Sequence, residues 1–146
     1  RPRQSQVRTT APSPPPIPQF VGAIPRTLTG KWAATAQSGA LQSTYLIGIE
    51  IDGGNVGEVI GKVTYWLMSE GREPSFTCVG ALTLTSAENG TFVVDERVGS
   101  KGIFCPGDKS IKMQVSNDKL YVEWSRKNRD HKVTMQGWAS KVKPET

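Results

Sequence analysis

Few residue types in this chain could do chemistry. Among 146 residues there is one histidine, His131, and there are two cysteines, Cys78 and Cys105. One imidazole excludes any relay that needs two, and one histidine with two cysteines leaves too few ligands for a closed zinc site. The cysteines are separated by 26 residues, nothing like a C-x-x-C redox pair. Read as a disulfide, they close a loop worth about 3 kcal/mol in the chain-entropy model and place the chain in an oxidising compartment. Two buried free thiols are the alternative. Asp95 and Glu96 are adjacent on an extended segment, so they point to opposite faces and cannot act as a carboxylate pair. There is no G-x-S-x-G motif, and any hydroxyl nucleophile would have only His131 as its partner. The sequence therefore points away from an enzyme and calls for no metal and no cofactor.

Residues suited to binding are easier to find. The run Arg126-Lys127-Asn128-Arg129-Asp130-His131-Lys132 has four positive charges and one negative. Its Arg126, Lys127, Arg129 and His131 are candidates to hold an anion such as a phosphate, a lipid headgroup or a cell-wall carboxylate. A solvated loop is the plain alternative. Trp66 and Trp138 fall opposite the apolar residues of their own segments, so they are candidate outward-facing aromatic platforms. The competing reading is that Phe20–Ile24 covers them. Trp124 shares a face with Leu120 and Val122 and reads as core.

The net charge of +5 does not point to nucleic acid. Residues 1–26 hold Arg1, Arg3, Arg8 and Arg26 with no acid, while 27–146 are nearly balanced. A phosphate-tracking groove needs clustered positive charge on the folded surface. Residues 1–26 also hold seven of the ten prolines. Each proline fixes φ and removes a donor, so this stretch reads as an extended, disordered tether rather than a helix or a ladder strand. A Pro/Thr/Ser spacer ahead of a compact unit is what a link to a membrane anchor outside this chain looks like.

Residues 27–146 must supply the elements that position the binding candidates. Apolar residues alternate there with period two: Leu28 to Ala36; Tyr45 to Ile51; Val59 to Leu67; Phe76 to Leu84; Phe92, Val94 and Glu96; Ile111 to Val115; Leu120 to Trp124; and Val133 to Ala139. This pattern predicts eight strands with one buried face. Asp52-Gly53-Gly54-Asn55, Asn89-Gly90 and Asn117-Asp118 are compact turn signals. Asn89-Gly90-Thr91 also matches a glycosylation sequon, but the turn reading suffices. Short hairpins between eight strands point to an up-and-down antiparallel barrel, with a two-sheet sandwich as the alternative. Gly61, Gly80 and Gly137 are expected at sharp bends. The bulky residues expected inside are Trp32, Ile47, Ile49, Tyr65, Phe76, Leu82, Phe92, Met113, Trp124 and Met135. An eight-stranded barrel is small enough for side chains to fill.

Leu28-Thr29-Gly30-Lys31-Trp32 resembles the first strand of the lipocalin and avidin superfamily of barrels. That resemblance implies Gly30 for close backbone approach, Trp32 as an end plug, and a basic residue of the last strand packed over it. Lys141 is the candidate for that residue, and Lys143 the second. Biotin binding does not carry over, because Ala34 stands where avidins use an amide and Val63 where they use a phenol, with only Ser38 matching. The order Gly57-Glu58-Val59-Ile60-Gly61, Tyr65, Cys78-Val79-Gly80-Ala81-Leu82-Thr83-Leu84, Glu96, Cys105 and Leu120-Tyr121-Val122-Glu123-Trp124 is also similar to an extracytoplasmic domain of actinobacterial membrane proteins. Some of those proteins carry a serine/threonine kinase. The resemblance implies a non-catalytic sensor or envelope-binding module located outside the cytoplasm. Its partner would be an unknown envelope component or small ligand. A barrel carrying a small apolar ligand inside is the alternative.

Overall fold

The computed structural model describes residues 22–39, 42–99, 104–127 and 130–143. Arg129 and most of the proline-rich segment lie outside these. One short 3-10 turn, Arg26–Leu28, precedes eight strands: β1 Gly30–Ser38, β2 Ser43–Ile51, β3 Val59–Leu67, β4 Ser75–Glu88, β5 Thr91–Val98, β6 Ser110–Ser116, β7 Lys119–Ser125 and β8 Val133–Lys141. Each strand pairs antiparallel with the next, and β8 returns to β1 to close a barrel. The closing seam is short, pairing Trp32 with Lys141, Ala33 with Ser140 and Ala34 with Ala139. Closure gives every strand a neighbour on each side, which removes the sheet edges an open arrangement would present.

The tight turns sit where the sequence placed them. β4 and β5 are joined by Asn89 and Gly90 alone, with φ of 53° and 81°. A two-residue hairpin of this hand needs positive φ at both positions, which asparagine and glycine adopt most readily. The inward faces of the strands form one core. Tyr45, Ile47, Ile49, Tyr65, Leu82, Phe92, Met113 and Trp124 are all buried within it. Ahead of the strands, Ala23 bridges to Asn55 and Ile24 joins the core, so the barrel unit extends back at least to Gly22.

Four apolar residues expected inside face out, three of them because of β-bulges. Tyr65 pairs with Cys78, yet Trp66 pairs with Phe76, so Thr77 is an extra residue on β4. One added residue reverses the alternation, and Phe76 is 61% exposed. Ile60 is the extra residue between Val59 and Gly61, which buries Ile60 and turns Val59 outward. Thr134 plays that part on β8, and Val133 is exposed. Val115 lies at the hairpin end of β6, where the core no longer covers it. The strand glycines serve close approach more than bending. A Cβ at Gly61 would lie 2.0 Å from the carbonyl oxygen of Glu50, and one at Gly137 would lie 2.9 Å from that of Thr35.

Candidate functional site

The ladder sets a lateral row of outward side chains across four strands. Thr83 pairs with Asp95, Asp95 with Ser110, and Ser110 with Ser125. Arg97 lies two residues further along β5, on the same face. Beyond β7 the chain turns back across this row, and Lys127 reaches β5. Its Nζ donates to the Glu96 carbonyl at 2.8 Å and lies 2.6 Å from Asp95 Oδ1. Thr83, Thr85, Asp95, Arg97, Ser110, Lys127 and His131 together line an open groove of about 530 Å³. It offers two cations, of which Lys127 is held by two short contacts and Arg97 is largely exposed, with one anion, three hydroxyls and an imidazole. Asp95 contacts both Lys127, at 2.6 Å, and the largely exposed Arg97, at 3.5 Å, so it orients Lys127 while neutralising one of the two charges.

The basic loop thus divides. Lys127 and His131 enter the groove, whereas Arg126 is engaged in shaping the loop. Its Nη2 donates to Asp130 Oδ2 at 2.5 Å, its backbone N–H bonds the Lys132 carbonyl, and Asp130 Oδ1 accepts from the Lys132 amide. The Lys132 amide and the Arg126 guanidinium hold the Asp130 carboxyl below its ordinary range. Arg129 lies outside the described residues.

The two tryptophan candidates lie apart from this groove and from each other. Trp66 packs across Gly48, where a Cβ would come within 3.2 Å of the ring. It walls a hollow of about 370 Å³ over Ala33, Leu46 and Gly48, with Lys31 and Lys62 also in its lining. Trp138 stands on β8 beside Tyr121, 52% exposed. At the seam, Trp32 Nε1 donates to the Leu28 carbonyl, and Lys141 Nζ lies 5.7 Å from the Trp32 ring centroid. Gly30 faces that lysine, its φ of 126° favouring glycine. Cys78 and Cys105 are bonded, tying β4 to the β5–β6 connection.

Glu96 falls in the same alternation as Phe92 and Val94, but the sequence alone did not mark it as a site. Its carboxylate is buried inside the barrel. Tyr65 donates to Oε2, the Lys109 amide donates to Oε1 at 3.2 Å, and Trp124 Nε1 donates to the Tyr65 hydroxyl at 2.9 Å. Gly80 makes room for it, since a Cβ there would lie 2.8 Å from Glu96 Cγ. Burial raises the Glu96 pKa to about 7, with the Tyr65 and Lys109 hydrogen bonds pulling it back. The Tyr65 hydroxyl is pushed well above its ordinary value, first by burial and then by Glu96. An acid on an otherwise apolar face was the available signal. Asp95 and Arg97 were missed as groove residues because their place depends on the β5–β6–β7 register and on the chain after β7 folding back over β6, neither of which local composition shows.

Set against known protein families, curated proteins and solved structures, the chain finds no match in any of the three comparisons.

Proposed function

We propose that this barrel is a non-catalytic binding module that works outside the cytoplasm and recognises an anionic, hydroxyl-bearing envelope component in its outer groove. The observation that carries this reading is the convergence of Lys127, Arg97, His131 and three hydroxyls in one open hollow. Cations bind anions best where a scaffold orients them, and the Asp95 carboxylate and the Glu96 carbonyl do that for Lys127. The interior supports a surface site, because Tyr45, Tyr65, Phe92 and Trp124 occupy it. The disulfide fits an oxidising, extracytoplasmic setting. On the resemblance to lipocalin-like barrels and to sensor domains of actinobacterial membrane proteins, the proline-rich segment is the tether to a membrane anchor. A serine/threonine kinase in the same protein is the form of output that resemblance implies.

The test is binding to vesicles rich in phosphatidylglycerol and to a soluble glycerol-phosphate polymer, with phosphatidylcholine vesicles as the control. We expect salt-sensitive binding to one of the anionic probes, lost in Arg97→Ser/Lys127→Ser with the melting temperature little changed. Surface ion pairs of this kind contribute only about 0–1 kcal/mol. A lipophilic dye taken up stoichiometrically inside the barrel, with the double substitution having no effect, would replace this reading with that of a carrier.

A further inference from the structure

The outer face of β6–β8 carries a second row. Gln114 pairs with Tyr121, and Tyr121 with Trp138, so the three project side by side. The two rings lie 5.1 Å apart, tilted by 58°. Tyr121 is fixed there, its hydroxyl donating to Gln136 Oε1 at 2.9 Å. Burying an indole is worth more than burying almost any other side chain, yet this one is left half in solvent. It stands as a ridge between two hollows of about 420 and 340 Å³. Ser116, Asn117, Asp118 and Lys119 line the first with Trp138; Gln114, Val115 and Tyr121 line the second with Trp138 and Ser116.

We propose that this ridge binds a neutral sugar, a hexose or N-acetylhexosamine unit of an oligosaccharide, at a site separate from the anion groove. A sugar ring offers one face of C–H groups and an edge of hydroxyls. The indole supplies an apolar platform of matching size, and the amide and hydroxyl side chains on both flanks supply donors and acceptors for the edge. Charge argues against the other occupants. Asp118 offsets Lys119, and Glu123 lies beside Tyr121 with its carboxylate 3.5 Å from the hydroxyl, so the patch would not draw a polyanion or an anionic membrane. The apolar surface is two rings and Val115, too little for the core of a stable protein interface. The groove and the ridge share no lining residue.

The probes are triacetylchitotriose and maltotriose, followed by nuclear magnetic resonance of nitrogen-labelled protein. We expect at least one to shift the Trp138 indole N–H and the Gln114 and Gln136 side-chain amides saturably, leaving the Arg97 and Lys127 amides in place. Trp138→Ala should weaken binding by about tenfold or more, as truncating an aromatic anchor does, and Trp138→Phe should retain part of it. Both substitutions sit on the surface and should leave the melting temperature unchanged. No shift with either sugar, or equal affinity in Trp138→Ala, overturns the proposal. So does phosphatidylcholine-vesicle binding that depends on Trp138 without any sugar response, which would make the ridge a membrane contact. Loss of anion binding in Arg97→Ser/Lys127→Ser leaves the sugar result unaltered, so the two sites fail or stand separately.

Discussion

A carboxyl group inside a barrel loses its water, and Glu96 recovers only part of that loss from Tyr65 and the Lys109 amide. Its pKa settles at about 7 against an ordinary 4.5. The polar groups around it come from three places: Tyr65 from β3, Trp124 from β7, and Lys109 and Asp108 from the β5–β6 connection, Lys109 lowering the value and Asp108 raising it, while the paired strand β4 presents Gly80 and Leu82. Because the folded value is the higher one, the folded protein keeps a proton that the unfolded chain has released between these limits. Glu96 therefore adds its full stability below pH 4.5 and loses it as the pH rises through 7, a fall on the order of 3 kcal/mol. A glutamine side chain at this position keeps the size of the acid without a titrating group, its oxygen able to accept from Tyr65 or from the Lys109 amide but not both. Urea midpoints at about pH 5 and about pH 8 should thus fall with pH in the parent and much less in Glu96→Gln. Equal slopes in the two proteins would refute this account. The inward setting of Glu96 was legible in the alternation of β5. Its partner Tyr65 was not, because 31 residues and two intervening strand pairings separate them.

At the scale of the strands, the period-two pattern located all eight elements, and asparagine and glycine marked their turns. What it could not place were the bulges. A single extra residue at Ile60, Thr77 or Thr134 leaves local composition unchanged while reversing which side chains face the core. Phe76 illustrates this: nothing in its own segment distinguishes it from Leu82, and only the pairing of Trp66 across the sheet turns it outward. The basic loop shows a similar limit, since its charge was visible but the diversion of Arg126 to Asp130 depends on how the loop folds back. Gly61 gives the sharpest test of this level. Its missing Cβ lets β3 lie against β2, with backbone rather than a flexible side chain in the way. Gly61→Ala should cost about 3 kcal/mol, seen as a lower urea midpoint with an unchanged slope. Gly57→Ala is not a fair control because Gly57 has a φ of 95°, whereas Ala81→Ser on the outer face of β4 is. A Gly61→Ala protein as stable as its parent would show that the strand pair can move apart.

For the molecule as a whole, ring closure sets where the two ends of the barrel emerge. β1 begins and β8 finishes at the same rim, with Lys141 Nζ bonding the Thr27 carbonyl across the gap. A chain stretched by its two ends is therefore loaded across the seam rather than along it, and the ladder parts one bond at a time, like a zip. With three paired positions at the start, little force is needed to begin. Unravelling from both sides then runs inward until it meets Cys78 and Cys105, whose bond shields a stretch of 27 residues from tension. In single-molecule pulling, the oxidised protein should extend about 90 Å less than the reduced one, at 3.3–3.6 Å per residue, and equal lengths would mean that the bond does not form in solution. A barrel built this way would yield at its closing seam under tension while its cross-linked middle stayed intact, a mechanical fuse at the rim where both ends leave it.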